Sequence, residues 1–167
     1  MLQTSVAILY FINKIFLSLE KKSGWQIGIL ASFLAIFYFI SLKFYLLAGL
    51  EISFLAILIF GLLNHNKELK NMNALYMLLF FILVFLYFVL KNSTFLEFTI
   101  SLDFILAIFL LAKRKWMLGW TTMLIGHILM AYFTYKKHQD VFALLQVLSC
   151  FVAIYALSKK PKNVISG

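Results

Sequence analysis

Glu51 interrupts the stretch YLLAGLEISFLAILIFGLL, Asp103 the stretch TFLEFTISLDFILAIFLLA, His127 the stretch MLIGHILMAYF and Gln146 the stretch ALLQVLSCFVAIYAL. Two carboxylic acids and an imidazole are enough to move protons. A carboxylate beside an amide is also what a cationic or polar ligand needs for recognition. The second use is the one the rest of the sequence supports. There is no nucleophile elbow, no histidine pair spaced for one helix face, no glycine-rich phosphate loop and no CxxC. His127 has Ala131, not a second ligand, four residues on, so it is not expected to hold a metal. The expectation is a binding or transport protein, not an enzyme, and without a Walker motif this chain alone does not drive transport with ATP.

Depth decides what these side chains can face. Glu51 lies about 10 Å inside its apolar stretch at the rise of a helix, too deep for a short carboxylate to reach an interface. It must meet other helices, water or a ligand. Asn13 and Lys14 are the natural partners for Glu51 or Asp103, and the sequence does not choose between them. Thr99, one turn before Asp103, offers that carboxylate a hydroxyl. Gln146 continues as Ser149, Cys150 and Ala153 at helical spacing, a small and polar stripe that either packs helices closely or lines a pathway. Cys150, the single cysteine, reads as a small buried residue. Trp25, Trp116 and Trp120 stand near helix starts, where an interfacial aromatic belt is expected. Trp120 is far enough inside to stack on a flat ring. The candidate substrate-binding residues are therefore Glu51, Gln146, His127, Asp103, Ser149 and Trp120. Glu97 is set apart: TFLE at 94–97 has the pattern of a capping box, a structural role.

Composition supplies the elements that must hold these residues. The chain is 64% hydrophobic and only 13% charged, against roughly a quarter charged in a soluble domain. The expected class is all-α: a polytopic membrane protein forming a single membrane domain over residues 1–167. Seven apolar spans are expected at 3–19, 24–41, 44–63, 73–91, 94–112, 115–135 and 139–158, each near the ~20 residues a crossing helix needs. No positive n-region precedes the first span and no small-x-small site follows it, so it is not expected to be a cleaved signal. The net charge of +9 sits in the short breaks between spans, which is the pattern of membrane loops and not of a nucleic-acid surface. Lys21, Lys22, Lys67, Lys70, Lys113, Arg114, Lys115, Lys159, Lys160 and Lys162 fall on one side, and Lys43, Lys91, Lys136 and Lys137 on the other. That bias expects the C-terminus inside and the N-terminus outside the cytoplasmic (inner) membrane. The small residues Gly28, Ala31, Ser32 and Ala35 mark a close-packing face of the second span.

A shift of 95 residues lays the third span on the seventh, carrying Gly24-Trp25 onto Gly119-Trp120 and Glu51 onto Gln146. With one span between them, 3–63 and 94–158 read as two three-helix repeats of the same membrane orientation, joined by the linker helix 73–91 and followed by the basic tail 159–167. Parallel repeats of this kind place a transport site between the halves.

The segment KKSGWQIGILASFLAIFYFISLKFYLLAGLE, then LLAKRK, a Trp-containing helix, YKK and ALLQVLSCFVAIYAL, taken in that order, resembles the PnuC family of nicotinamide riboside (vitamin) transporters. The resemblance implies a SWEET-like 3+1+3 fold and facilitated passage of a nucleoside-like vitamin, with no dedicated cofactor. It implies a small-molecule substrate and the lipid bilayer as partners, and leaves room for a homo-oligomer and for a cytoplasmic kinase acting on the imported substrate. On the sixth span, His127 stands where the family commonly has Asn or Asp, and Met123 where it has Trp. A sugar transporter of the SWEET type is the rival transport reading, but its members carry prolines within the spans, and the one proline here is Pro161. A non-transporting membrane partner is the other rival. The two transport readings expect Glu51, His127 and Gln146 to converge on one cavity, whereas a packing partner does not.

Overall fold

The computed structural model describes residues 2–43, 45–65, 73, 76–77, 80–82, 84, 94–138 and 140–159. Its long elements are six helices: α1 (Leu2–Ser18), α2 (Lys22–Ser41), α3 (Tyr45–Leu63), α4 (Phe95–Ala112), α5 (Trp116–Lys136) and α6 (Asp140–Ser158). Six of the seven expected spans thus appear within two residues of their expected ends. The described residues between 73 and 84 are also helical. The rest of the expected span 73–91 and most of the tail lie outside the described residues.

The chain is an all-helical polytopic membrane protein. Lys22–Ser41, Phe95–Ala112 and Trp116–Lys136 are long and apolar enough to cross a bilayer, and Thr4–Ser18, Ala48–Leu63 and Phe142–Ser158 are shorter apolar helices. The side chains are sorted for lipid rather than for water. In α2, Gly24, Gly28, Ala31, Ser32 and Ala35 are buried, while Leu30, Phe33, Phe37 and Ile40 face outward. In α6, Ser149, Ala153 and Ala156 are buried and Phe151 is 64% exposed. Lipid tails are as apolar as leucine, so bulky side chains gain nothing by turning inward, and helices approach through small ones.

Local signals set the ends. Thr94 Oγ1 accepts from the Glu97 backbone N–H and Glu97 returns the bond to the Thr94 N–H, the capping box that starts α4. Helix α1 ends with Lys21 N–H on Phe16 O (3.0 Å) and Glu20 N–H on Leu17 O (2.9 Å); α4 ends with Lys115 N–H on Leu110 O (2.9 Å) and Arg114 N–H on Leu111 O (2.9 Å). Both are Schellman turns, and the residue that must adopt positive φ is Glu20 (55°) in one and Arg114 (58°) in the other, where glycine is usual. The α2 and α5 ends match likewise: Lys43 (φ 60°) bonds Ile40 O and His138 (φ 56°) bonds Tyr135 O. A register of 94 residues relates α1 to α4, and one of 95 relates the later turns.

Packing follows chain order. α2 lies between α1 and α3, α5 lies between α4 and α6, and the two groups meet where α1 touches α6 and α3 touches α4. Glycine sets the closest approaches. A Cβ on Gly24 would lie 2.7 Å from the Leu17 backbone N, and one on Gly119 would lie 2.7 Å from the side chain of Leu111 and 3.0 Å from its backbone N. Tyr76 rests on α4: Lys113 Nζ donates to Tyr76 Oη (2.5 Å), and the Tyr76 and Phe109 rings are 6.1 Å apart.

The expectation of an interfacial tryptophan belt fails. Trp25 is 6% exposed and Trp120 is 0% exposed. Trp25 shares the inward stripe of Gly28, Ser32 and Ala35, so it fills space against Gly61 of α3. Trp116 is half-buried and donates through Nε1 to the Ala156 carbonyl (3.2 Å), and its ring meets Trp120 edge-on at 5.7 Å.

Candidate functional site

Buried polar side chains gather in each three-helix group at the same level of the register. In the first group, Tyr10 of α1 reaches across to α2 and α3. Its hydroxyl donates to the Glu51 carboxylate and lies 2.9 Å from Ser32 Oγ. A phenol has one proton, so with Tyr10 donating to Glu51 the Ser32 hydroxyl donates to Tyr10. The chain Ser32 to Tyr10 to Glu51 gives a buried carboxylate its hydrogen bond without a cation, which lowers the cost of holding it in a dry site.

In the second group, His127 of α5 lies 2.7 Å through Nδ1 from Gln146 Oε1 of α6. An amide oxygen only accepts, so Nδ1 carries the proton of that bond, and the ring's other nitrogen is Nε2. That Nε2 is buried with no partner, as are Asp103 Oδ2 and Trp120 Nε1. The Phe104 ring packs on the imidazole at 5.0 Å. Asp103 presses its Oδ2 against Gly126, leaving no room there for a Cβ. Trp120 and His127 are seven residues apart, hence on one face of α5 about 10 Å apart along the axis.

Lys14 joins the groups. One turn after Tyr10 on α1, it donates to Ser149 Oγ of α6 (2.9 Å), and Ser149 Oγ in turn donates to Leu145 O (2.8 Å). The expected pairing of Lys14 with Glu51 or Asp103 is therefore replaced by a hydroxyl partner. Asn13, the other candidate, donates to the Gly24 carbonyl (2.7 Å) and packs against Gly28. Thr99 bonds its own helix at Phe95 O (2.8 Å) and leaves Asp103 alone.

Of the six candidate residues, the structure brings His127 and Gln146 into direct contact and sets Ser149 beside Lys14. Glu51 is held on the other side by Tyr10. Trp120 lies toward one end with Trp116. Among the described residues, no hydrogen bond joins Glu51 to Gln146. Tyr10 is the residue that sequence reasoning missed. Its signal is faint but present: it stands four residues before Lys14, on the same face of α1.

A cavity of about 220 Å³ opens at the end of the bundle that carries the α1–α2 and α4–α5 turns. Leu17, Glu20, Trp25, Gly61, Asn64, His65, Leu111, Ala112, Arg114 and Trp116 line it, and none of the six candidates does. Its charged walls are two of the four positive-φ residues, Glu20 and Arg114. His65, just past α3, is held below its ordinary pKa by burial, then by the nearby Arg114 and Lys22 cations, against the pull of Glu20.

Compared with known proteins, the chain matches a family model described as nicotinamide mononucleotide transporter over residues 1–159. No curated protein and no solved structure matches it.

Proposed function

We propose that this chain, which belongs to the nicotinamide mononucleotide transporter family, carries nicotinamide riboside or a closely related nucleoside-like vitamin across the membrane by facilitated passage. The passage runs along the seam between two parallel three-helix repeats, 3–63 and 94–158, joined by the linker helix 73–91. The matching Schellman turns and the paired contacts α1–α6 and α3–α4 support that arrangement. The N-terminus lies outside and the C-terminus in the cytoplasm, the orientation that the lysine bias favours. A kinase that phosphorylates the imported riboside would keep its gradient directed inward.

One observation carries the substrate class. At matched depth, the first repeat presents a buried carboxylate, Glu51, and the second presents buried polar atoms without partners, Nε2 of His127 and Oδ2 of Asp103. A permeant with a ring cation, a carboxamide and ribose hydroxyls supplies a positive charge for the first and N–H and O–H donors for the others. A site that leaves polar atoms unpaired discriminates strongly against ligands that lack those groups. Gln146, Ser149 and Trp120 complete the polar and aromatic surface.

The test is uptake of radiolabelled nicotinamide riboside into liposomes containing the purified protein, with unlabelled riboside, thiamine, riboflavin and a neutral sugar as competitors. Riboside should compete best, thiamine weakly through its charge, and sugar not at all. No riboside uptake, with uptake of a radiolabelled neutral sugar into the same liposomes, would install the SWEET-type reading. Uptake of none would leave a non-transporting membrane partner.

A further inference from the structure

We propose that Arg114 is a latch that closes the loop-side mouth of the seam by tying the turn of the second three-helix group to the end of α3 in the first. The proposal depends on the transport reading only for its purpose; the latch itself is tested without transport.

The geometry is specific. Helix α3 ends at Leu63, so the carbonyls of Asn64 and His65 lie beyond the reach of helical N–H groups. Arg114 Nη2 donates to both, at 2.7 and 3.0 Å. A guanidinium at a helix C-terminus also meets the negative end of the helix dipole. The cavity behind it spans the seam, because its walls include Leu17 with Leu111 and Glu20 with Arg114, pairs related by the 94-residue register. A link from one group to the other across the mouth of that cavity must break whenever the groups part at this end.

The backbone under Arg114 fits the same role. A positive φ is costly for arginine, and glycine would relieve it. With arginine there, the turn aims a long cationic side chain across the seam. The surroundings tune the latch. The groups facing His65 are Glu20 from the α1–α2 turn, Lys22 from α2 and Arg114 itself. Burial and the two cations favour the neutral imidazole while the mouth is shut. Opening restores the ordinary pKa, so protons bind preferentially to the open form, and acidification through the ordinary histidine range favours opening.

The test is the accessibility of one introduced thiol. With Cys150 replaced by alanine, Leu111→Cys places the only cysteine on the buried wall of the cavity, and a membrane-impermeant maleimide is applied from the loop side. Arg114→Gly keeps the turn and removes the latch, and should raise the labelling rate about tenfold, the population change expected from one charge-assisted hydrogen bond. Arg114→Lys, which retains a charge but not the double donor geometry, should fall between and serves if the glycine variant does not assemble. With Arg114 in place, acid should speed labelling relative to an exposed reference cysteine, and His65→Gln should remove that acceleration. Equal labelling of the protein that keeps Arg114 and of its Arg114→Lys and Arg114→Gly variants would overturn the latch, whatever the uptake measurements give.

Discussion

At related positions along the two halves of the chain, Tyr10, Ser32 and Glu51 stand against Phe104, His127 and Gln146. The backbones beneath them make the same turns with the same hydrogen bonds. In the first half the three side chains satisfy one another, the hydroxyls in series ending on the carboxylate. In the second, the aromatic partner has lost its hydroxyl, the carboxylate has become an amide, and a histidine nitrogen is left without a partner. One half therefore concentrates charge and completes its hydrogen bonds internally. The other carries no carboxylate at those positions and holds hydrogen-bonding capacity in reserve. Under the proposed function, two such unlike halves would recognise an asymmetric molecule.

The largest effect should come from making the halves alike. Glu51→Gln converts the first triad toward the second, removing the charge while preserving shape. Riboside affinity in the uptake assay should weaken about ten- to a hundredfold, the worth of a charge-assisted hydrogen bond. Unchanged affinity would mean that the carboxylate only packs helices.

The next effect tests the frame. Gly24→Ala drives a methyl into the Leu17 backbone, whereas Gly119→Ala meets first the movable side chain of Leu111. The former should cost about 1–3 kcal/mol of stability in a thermal or denaturant melt of the detergent-solubilised protein, and the latter clearly less. Equal losses would show that the two helix crossings are closer to identical than the contacts indicate.

Tyr10→Phe makes the first half's aromatic residue match Phe104. It removes one hydrogen bond and should weaken riboside affinity about fivefold, while adding little on top of Glu51→Gln, because both act through the same carboxylate. Additive losses would separate Tyr10 from Glu51.

How much of this was legible in the sequence follows from what each signal measures. Span positions were clear because hydrocarbon demands an apolar run, and α5 begins at Trp116 against an expected 115. The capping box at Thr94 was clear because Ser/Thr with Glu three residues on is a local pattern. The helix ends at Glu20, Lys43, Arg114 and His138 were not, since the usual marker of a left-handed cap is glycine and none stands there. Glu51 stood out against its surroundings. Tyr10 did not, because one tyrosine in a chain that is 18% aromatic carries no contrast. The tryptophans were misplaced for a different reason. Nearness to a helix start gives depth in the membrane but not direction around the helix, and it was direction, shared with Gly28 and Ser32, that turned Trp25 inward.

The smallest effect concerns those caps. Lys43→Gly relieves a left-handed backbone worth about 1–2 kcal/mol but loses roughly 0.5–1 kcal/mol to glycine's greater freedom when unfolded, a net gain of about 0.5 kcal/mol. Arg114→Gly should show no such gain in the same melt, because it also gives up the bonds to Asn64 and His65.

The inward tryptophans have an optical consequence. All three indoles of the chain gather at one mouth: Trp25 and Trp116 in the cavity wall, Trp120 edge-on to Trp116. Light selectively exciting indole therefore interrogates that mouth and, through Trp120, the interior next to it. A spectral shift on adding a permeant, an acid or a lipid would report an event there, and an unmoved spectrum would assign the event to the membrane's other face. The protein carries its own lamp, fixed at one end of the bundle.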